Sequence, residues 1–202
     1  MKLFKICSVI FLGLILHTLT WAASSPMEML QSTSDQMLAA LKQDQVTIKT
    51  NQQAVFDIVH RILLPHVDLE RMSRTALGRD AWLQATPKQK AQFKTQFTTM
   101  LIRTYASALA SYTDQTVQFF PIRGGITPGQ TQVQVKSQIT QRTGSPVQVV
   151  YNLIAKDGTW KVYDFSVDGI SIADSFNSQF ASELQNGNLD LLLKKLVEHN
   201  NQ

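Results

Sequence analysis

The sequence holds a single cysteine, Cys7, and it lies inside an N-terminal apolar run. No disulfide can close within the chain, and no set of cysteines can hold a metal ion or carry thiol chemistry. Charge is also scarce. Asp, Glu, Lys and Arg make up 17% of the residues, and the formal net charge is +4. That is too little to argue for a nucleic-acid partner, and Arg71, Arg74, Arg79 and Arg103 do not interleave with exposed aromatics of the kind that stack on bases. Phosphate-binding signatures are missing too. There is no P-loop, no GxGxxG after a strand, and "GRDAW" is too short to cradle a phosphate. "PIRGGITPGQ" is rich in glycine but lies between two predicted strands and reads as a turn. No GxSxG elbow is present. The histidines form no HxxxH or HExxH pair, since His60 and His66 are separated by Pro65 and His199 stands alone.

What is present begins with a basic, then apolar, then small-residue N-terminus. Lys2 and Lys5 precede the run from Ile6 to Leu19, and "LTWAASS" follows. This pattern predicts a secretory signal peptide over residues 1–22, with cleavage after Ala22 or Ala23; a retained anchor is the alternative. The run is short for a membrane-spanning helix, which needs about 20 apolar residues. Without Lys2 and Lys5 the basic count falls from 19 to 17 against 15 acidic residues, a net charge of +2. A chain without disulfides in an oxidising compartment must draw its stability from its core.

Residues 23–202 read as a single domain: helical over 26–112, a sheet over 116–168, and C-terminal helices over 170–198. The first helix runs from Pro26 to about Leu41. The second covers Gln52 to Leu64, with Val55, Phe56, Val59, Ile62 and Leu63 on the helical template, and Pro65 stops it. Asp68 caps a third, which ends at Gly78. Thr86, Pro87 and Gln89 form a capping box for a long helix reaching Tyr112. Along it Phe93, Phe97, Leu101, Tyr105, Ala108 and Tyr112 recur at spacings of four or three.

Strands are predicted over 116–122, 131–140, 147–155 and 160–168, joined by the "RTGSP" and "KDG" turns. Such turns imply an antiparallel meander with one wet face. Beyond Asp168-Gly169 the period becomes helical through Ile172, Phe176, Phe180 and Leu184, up to Gly187. A leucine-rich tail helix spans about 188–198. The expected class is α+β: a curved antiparallel sheet of about four strands packed against helices.

Paired carboxylates are the remaining route to hydrolysis, and Asp164, Asp168 and Asp174 are the candidates. Asp168 precedes glycine at a change of period, where aspartate turns the chain. Asp174 falls in the first turn of a helix, where its charge suits the dipole. Turn and cap roles therefore compete with catalysis at each position.

The apolar supply is the larger signal. Helix 86–112 and the strands together offer Phe93, Phe97, Leu101, Tyr105, Val133, Val135, Val149, Tyr151, Trp160, Val162, Phe165 and Val167. A curved sheet facing a helix can enclose an apolar pocket, and a solid, dry core is the competing reading.

Two blocks carry a family resemblance. One is "DLERMSRTALGRDAWLQATPKQKAQFKTQFTTMLIRTYASALASY"; the other is "WKVYDFSVDGISIADSFNSQF". They resemble the signature of the MlaC family of periplasmic phospholipid-binding proteins, also called the toluene-tolerance auxiliary component. The resemblance implies a nuclear transport factor 2-like α+β fold with an added helical part. It implies a cavity for phospholipid tails drawn from the twelve residues above, with Arg71, Arg74 and Arg103 as headgroup or partner contacts. It further implies a monomeric, non-enzymatic carrier that needs no metal or cofactor. Such a carrier shuttles lipid between an inner-membrane ABC transporter complex and an outer-membrane lipoprotein complex, maintaining outer-membrane lipid asymmetry. A carrier of another lipid such as a hopanoid, a secreted hydrolase, and an interaction module with a solid core are the alternatives. Many relatives carry Tyr-Arg shortly after the S-L element where this chain has Phe176 and Asn177, so no role of that arginine transfers. The physics agrees with a carrier: a buried CH₂ contributes about 0.8 kcal/mol, so exposing roughly 30 of them costs on the order of 20 kcal/mol.

Overall fold

The computed structural model describes residues 24–51, 53–111, 115–140, 144–185 and 187–201. The expected leader over 1–22, Cys7 and the cleavage point lie outside these residues, as do Gln52, Tyr112 and most of the first half of the RTGSP turn.

Eight α-helices and five strands follow in order among the described residues. Helix α1 (Pro26–Gln43) starts on a capping box between Ser25 and Glu28 and places Pro26 at its first position. Helices α2 (Gln45–Thr50) and α3 (Gln53–Ile58) are one and a half turns each. The predicted helix to Leu64 does not continue as an α-helix. It widens into a π-helix over Val59–Leu63, where the Leu64 N–H donates to the Val59 carbonyl, and ends in a 3₁₀ turn over Leu64–His66. Pro65 has no N–H to give the i→i−4 ladder, and the wider turn still lets Ile58, Val59 and Ile62 all be buried.

Helix α4 (Leu69–Leu77) is capped as expected: the Asp68 carboxylate accepts from the Arg71 N–H at 3.1 Å, and Gly78 closes the other end. Helix α5 (Arg79–Gln84) was not legible in the sequence. Helix α6 (Pro87–Ala110) is the longest, and the Thr86–Gln89 capping box is present in both directions. Thr86→Ala is expected to lose about 1 kcal/mol of stability, a fall in Tm of about 2–4 °C for a domain of this size, read by thermal denaturation.

Strands β1 (Thr116–Phe120), β2 (Gln132–Thr140), β3 (Val147–Lys156), β4 (Thr159–Val167) and β5 (Ile170–Ser171) form one antiparallel meander in sequence order. This is the expected sheet with one strand more than the four anticipated. Asp168-Gly169 is not a direct strand-to-helix elbow. Both residues take positive φ (48° and 85°) and close a two-residue hairpin from β4 to β5, which then runs into α7 (Ile172–Gln185). Asp157-Gly158 closes the β3–β4 hairpin in the same way, with φ of 51° and 72°. Helix α8 (Leu189–Asn200), capped by Asn188, completes the chain.

Apolar side chains gather in three clusters. The first joins α4, α5, the first half of α6, α7 and α8 around Phe93, Phe97 and Phe180. The second joins α1, α2, α3 and the π-helix to Ile102 and Ala106 in the second half of α6. The third seats Met29 and Leu30 of α1 on Val133, Leu153 and Val162 of the sheet. Helix α6 thus enters two clusters, one with each half.

Candidate functional site

The strand register sorts the sheet into rungs. On the helix-facing side they read Val133–Leu153–Val162, then Val135–Tyr151–Phe165, then Phe119–Ser137–Val149–Val167, then Val117–Ile139–Val147. None of these residues is charged. A register shift beside Asn152/Leu153 leaves Tyr163 as the extra residue of a β-bulge in β4. The bulge explains how Trp160 and Val162 share a face with Phe165 and Val167, although the two pairs differ in parity. That change of phase in the apolar alternation is readable in the sequence once it is looked for.

Burial is complete in the first rung and partial in the others. Val133, Leu153 and Val162 are covered by α1, at 6%, 0% and 6% exposure. In the next rung Val135 is fully covered but Tyr151 and Phe165 are half-buried. One rung further Ser137 and Val149 are buried while Phe119 and Val167 are half-buried, and Val117, Ile139 and Val147 are all half-buried. Leu101 and Tyr105 of α6 are half-buried as well, and the Tyr105 ring meets Phe165 edge-on at 6.4 Å. Helix α1 therefore covers this face at one end, and the less covered apolar surface beyond it, met by Tyr105 of α6 at Phe165, forms a trough.

Polar groups in the trough are few. The Ser137 hydroxyl donates to the Tyr151 hydroxyl at 3.4 Å, and the Tyr151 ring lies against Phe119 at 5.9 Å. Burial pushes the Tyr151 phenol above its ordinary pKa, opposed by the Ser137 hydrogen bond; burial alone does the same for Tyr105. Both hydroxyls are therefore neutral donors at physiological pH. Phe119 and Val117 were missed because only the register assigns β1 to this face; alternation in β2 and β3 put Ser137 and Val147 on it, but neither was counted among the lining residues.

The remaining expected residues divide. Leu101, Tyr105, Val149, Tyr151, Phe165 and Val167 border the trough. Val133, Val135 and Val162 form its closed floor, and Trp160 sits half-buried beside the rung at Ala155. Phe93 and Phe97 lie elsewhere. Both are 0% exposed, stacked at 5.6 Å, and met edge-on by Phe180 at 5.5 and 5.9 Å.

The arginines also divide. Arg71 donates to the Gln132 side-chain oxygen at 3.1 Å and stacks over the Tyr163 ring at 3.9 Å, on the outer face of the sheet. Arg74 is exposed on α4. Arg103 is half-buried, and its Nε is enclosed without a hydrogen-bond partner among the described residues.

The three aspartates act as turn and cap groups. Asp164, 8% exposed, accepts from the Ser171 hydroxyl at 2.8 Å and the Ala173 N–H at 3.1 Å, which fixes the start of α7. The Asp168 carboxylate accepts from the Gln148 N–H at 3.0 Å. Asp174 lies in the first turn of α7. His66 is held below the ordinary histidine pKa by burial and by the nearby Lys161 charge, while Lys161 itself donates to the Pro65 carbonyl. Among the described residues no group of three or more His, Cys, Asp and Glu could hold a metal ion. No helix among them is long and apolar enough to cross a membrane.

Comparisons with known proteins agree with the two sequence blocks. The family model of the MlaC protein matches residues 31–198. The toluene tolerance protein ttg2D of Pseudomonas putida is 32% identical over 173 residues, covering 86% of this chain and 79% of that protein. The intermembrane phospholipid transport system binding protein MlaC of Haemophilus influenzae is 25% identical over 205 residues, covering all of this chain and 94% of that one. Among solved structures, a phospholipid-binding protein from Ralstonia solanacearum in complex with a phospholipid superposes with a TM-score of 0.81. It shares 34% identity and covers 89% of this chain and 98% of its own. On fold and sequence together, the chain belongs to the MlaC family.

Proposed function

We propose that the protein is a periplasmic phospholipid carrier, exported by cleavage of residues 1–22, whose single domain over 23–202 holds acyl tails in the trough between α6 and the sheet. The observation that carries this reading is the uncharged sheet face, fully covered at the α1 end and only partly covered beyond it, with Tyr105 of α6 against Phe165. The likeness to a structure solved with a phospholipid supports it. Tails lie along Leu101, Tyr105, Val149, Tyr151, Phe165 and Val167, and the neutral Ser137–Tyr151 hydroxyl pair meets ester oxygens rather than a charged group. Arg74 and Arg103 are the arginines left for a headgroup or a docking partner, because Arg71 is held on the other face. Carriage needs no nucleophile, and Asp164, Asp168 and Asp174 are each committed to a backbone contact or a helix start. The protein is not an enzyme in this reading. It works as a monomer that exchanges lipid with an inner-membrane ABC transporter complex and an outer-membrane lipoprotein complex, so helping to keep the outer membrane asymmetric.

Native mass spectrometry of the purified protein, with organic extraction of what it carries, tests the reading. About one diacyl phospholipid per chain is expected, transferable to vesicles. A chain that purifies empty and neither takes up nor releases lipid would sink the proposal. Val167→Asp places a charge in the trough, and desolvating it opposes tail binding. It is expected to lower lipid affinity about tenfold or more, equivalent to about 1.4 kcal/mol.

A further inference from the structure

The outer face of the sheet carries a second concavity, and the trough does not explain it. It has a volume of about 840 Å³ and is roofed on one side by Phe120, Pro121, Ile122 and Arg123 at the end of β1. This is within the range of small-molecule sites, roughly 300–1,000 Å³. Its floor is the polar side of β2 and β3, with Gln132, Gln134, Lys136, Gln148 and Asn152, and Tyr163 closes one wall.

Two features define what it can take. The first is charge. Arg123 and Lys136 line the groove and, among the described residues, neither forms an ion pair; no carboxylate lines it. Two acids touch groove residues from outside it: Asp164 accepts from the Asn152 amide as well as from Ser171 and Ala173, and Asp168 accepts from the Gln148 N–H. The second is the fixed orientation of the amides. The Gln132 oxygen accepts from Arg71 at 3.1 Å and from the Tyr163 hydroxyl at 3.3 Å, which leaves its NH₂ as the group available to a ligand. Gln134 donates to the Asn152 oxygen at 2.9 Å and so retains acceptor capacity on its own oxygen. Donors and acceptors alternate over a few ångströms, beside two cations and the apolar edges of Phe120 and Ile122. Neighbouring hydroxyls on a ring match the amides, and a phosphoryl group matches the cations.

We propose that this groove is a second ligand site, for a phosphorylated sugar, bound by the Gln132–Gln134–Asn152 amides through its hydroxyls and by Arg123 and Lys136 through its phosphate. It lies on the opposite side of the sheet from the trough and does not depend on what the trough carries.

Titration of the ¹⁵N-labelled protein with glucose 6-phosphate, glucose, inorganic phosphate and a glutamate-rich peptide tests it by amide chemical shifts. Glucose 6-phosphate is expected to give saturable shifts at Gln132, Gln134 and Lys136, binding at least tenfold tighter than either glucose or inorganic phosphate. Lys136→Gln and Arg123→Gln should each weaken it about tenfold, and Gln134→Leu should remove the advantage over phosphate alone. Lipid content should stay unchanged in all three variants. No saturable shift with glucose 6-phosphate, equal binding of inorganic phosphate, or tighter binding of the peptide at the same residues each overturns the proposal.

Discussion

Gly78→Ala is expected to lower stability by about 3 kcal/mol, although it adds one methyl group. Gly78 sits between α4 and α5 at φ 86° and ψ 150°, a region almost confined to glycine, and forcing a side chain there costs on the order of 1–3 kcal/mol. The added Cβ would also stand 2.9 Å from Asn177 Nδ2. That nitrogen donates at 3.3 Å to the Ala76 carbonyl, one of the last carbonyls of α4, which have no partner within the helix. Pushing Asn177 aside loses this bond, worth about 1 kcal/mol. The combined effect corresponds to a fall in Tm of about 6–12 °C. Gly129→Ala is the control. It has φ 82° but nothing within 4 Å of its Cβ, so only the backbone cost of about 1–2 kcal/mol applies. Equal losses at the two positions in thermal denaturation would refute the steric part. Adding Asn177→Ala to Gly78→Ala should recover less than half the loss, because the φ strain remains.

Phe97→Ala should be the more damaging change, and its signature separates core from lining. Its ring is fully buried, stacked on Phe93 and met edge-on by Phe176 and Phe180. Truncating such a ring costs about 3–5 kcal/mol in lost transfer energy and cavity. Against a total stability of roughly 5–15 kcal/mol, that loss divided by a urea slope of about 1–3 kcal/mol/M lowers the denaturation midpoint by on the order of 1–5 M. At temperatures where Phe97→Ala remains folded, its lipid content should match the unaltered chain. Val167→Asp should show the reverse: little change in midpoint and a loss of lipid. If Phe97→Ala released lipid while fully folded, Phe97 would belong to the lining and the boundary of the trough would move toward α7.

The sequence made some elements legible because their signals are local. Thr86, Pro87 and Gln89 state the start of α6 in four residues, and the capping box is there. Asp157-Gly158 is a residue pair that favours a tight hairpin, and the hairpin closes there with two positive φ values. Strands β2 and β3 alternate strictly, so their faces could be read directly. What escaped is what depends on distant partners. Helices α2 and α5, six residues each, are too short to show a period, and nearby packing rather than propensity holds them. Strand β5 is two residues long and exists only because β4 is beside it. Phe93 and Phe97 continue the same stripe as Leu101 and Tyr105. The stripe says which side of α6 is apolar, not which neighbour meets it. The neighbours are α7 and α8 at one end and the sheet at the other, and this decides which aromatic is core and which borders the trough. Asn177 likewise drew notice as a departure from the family pattern, but its bond to Ala76 required the fold.

Helix α6 is gripped in two places. Phe93, Phe97 and Met100 fasten its first half among α4, α7 and α8, while Ile102 and Ala106 fasten its second half among α1, α3 and the π-helix. Mechanically it is a beam clamped at both ends, with Tyr105 projecting toward the sheet from within the clamped span. Such a beam resists bowing, whereas the less covered rungs opposite are held by strand pairing and a few side-chain contacts such as Ser137–Tyr151 and Phe119–Tyr151. If the trough holds lipid as proposed, extra room for a bulkier tail would come from the sheet side, where Phe119 and Val167 are half-buried, rather than from α6.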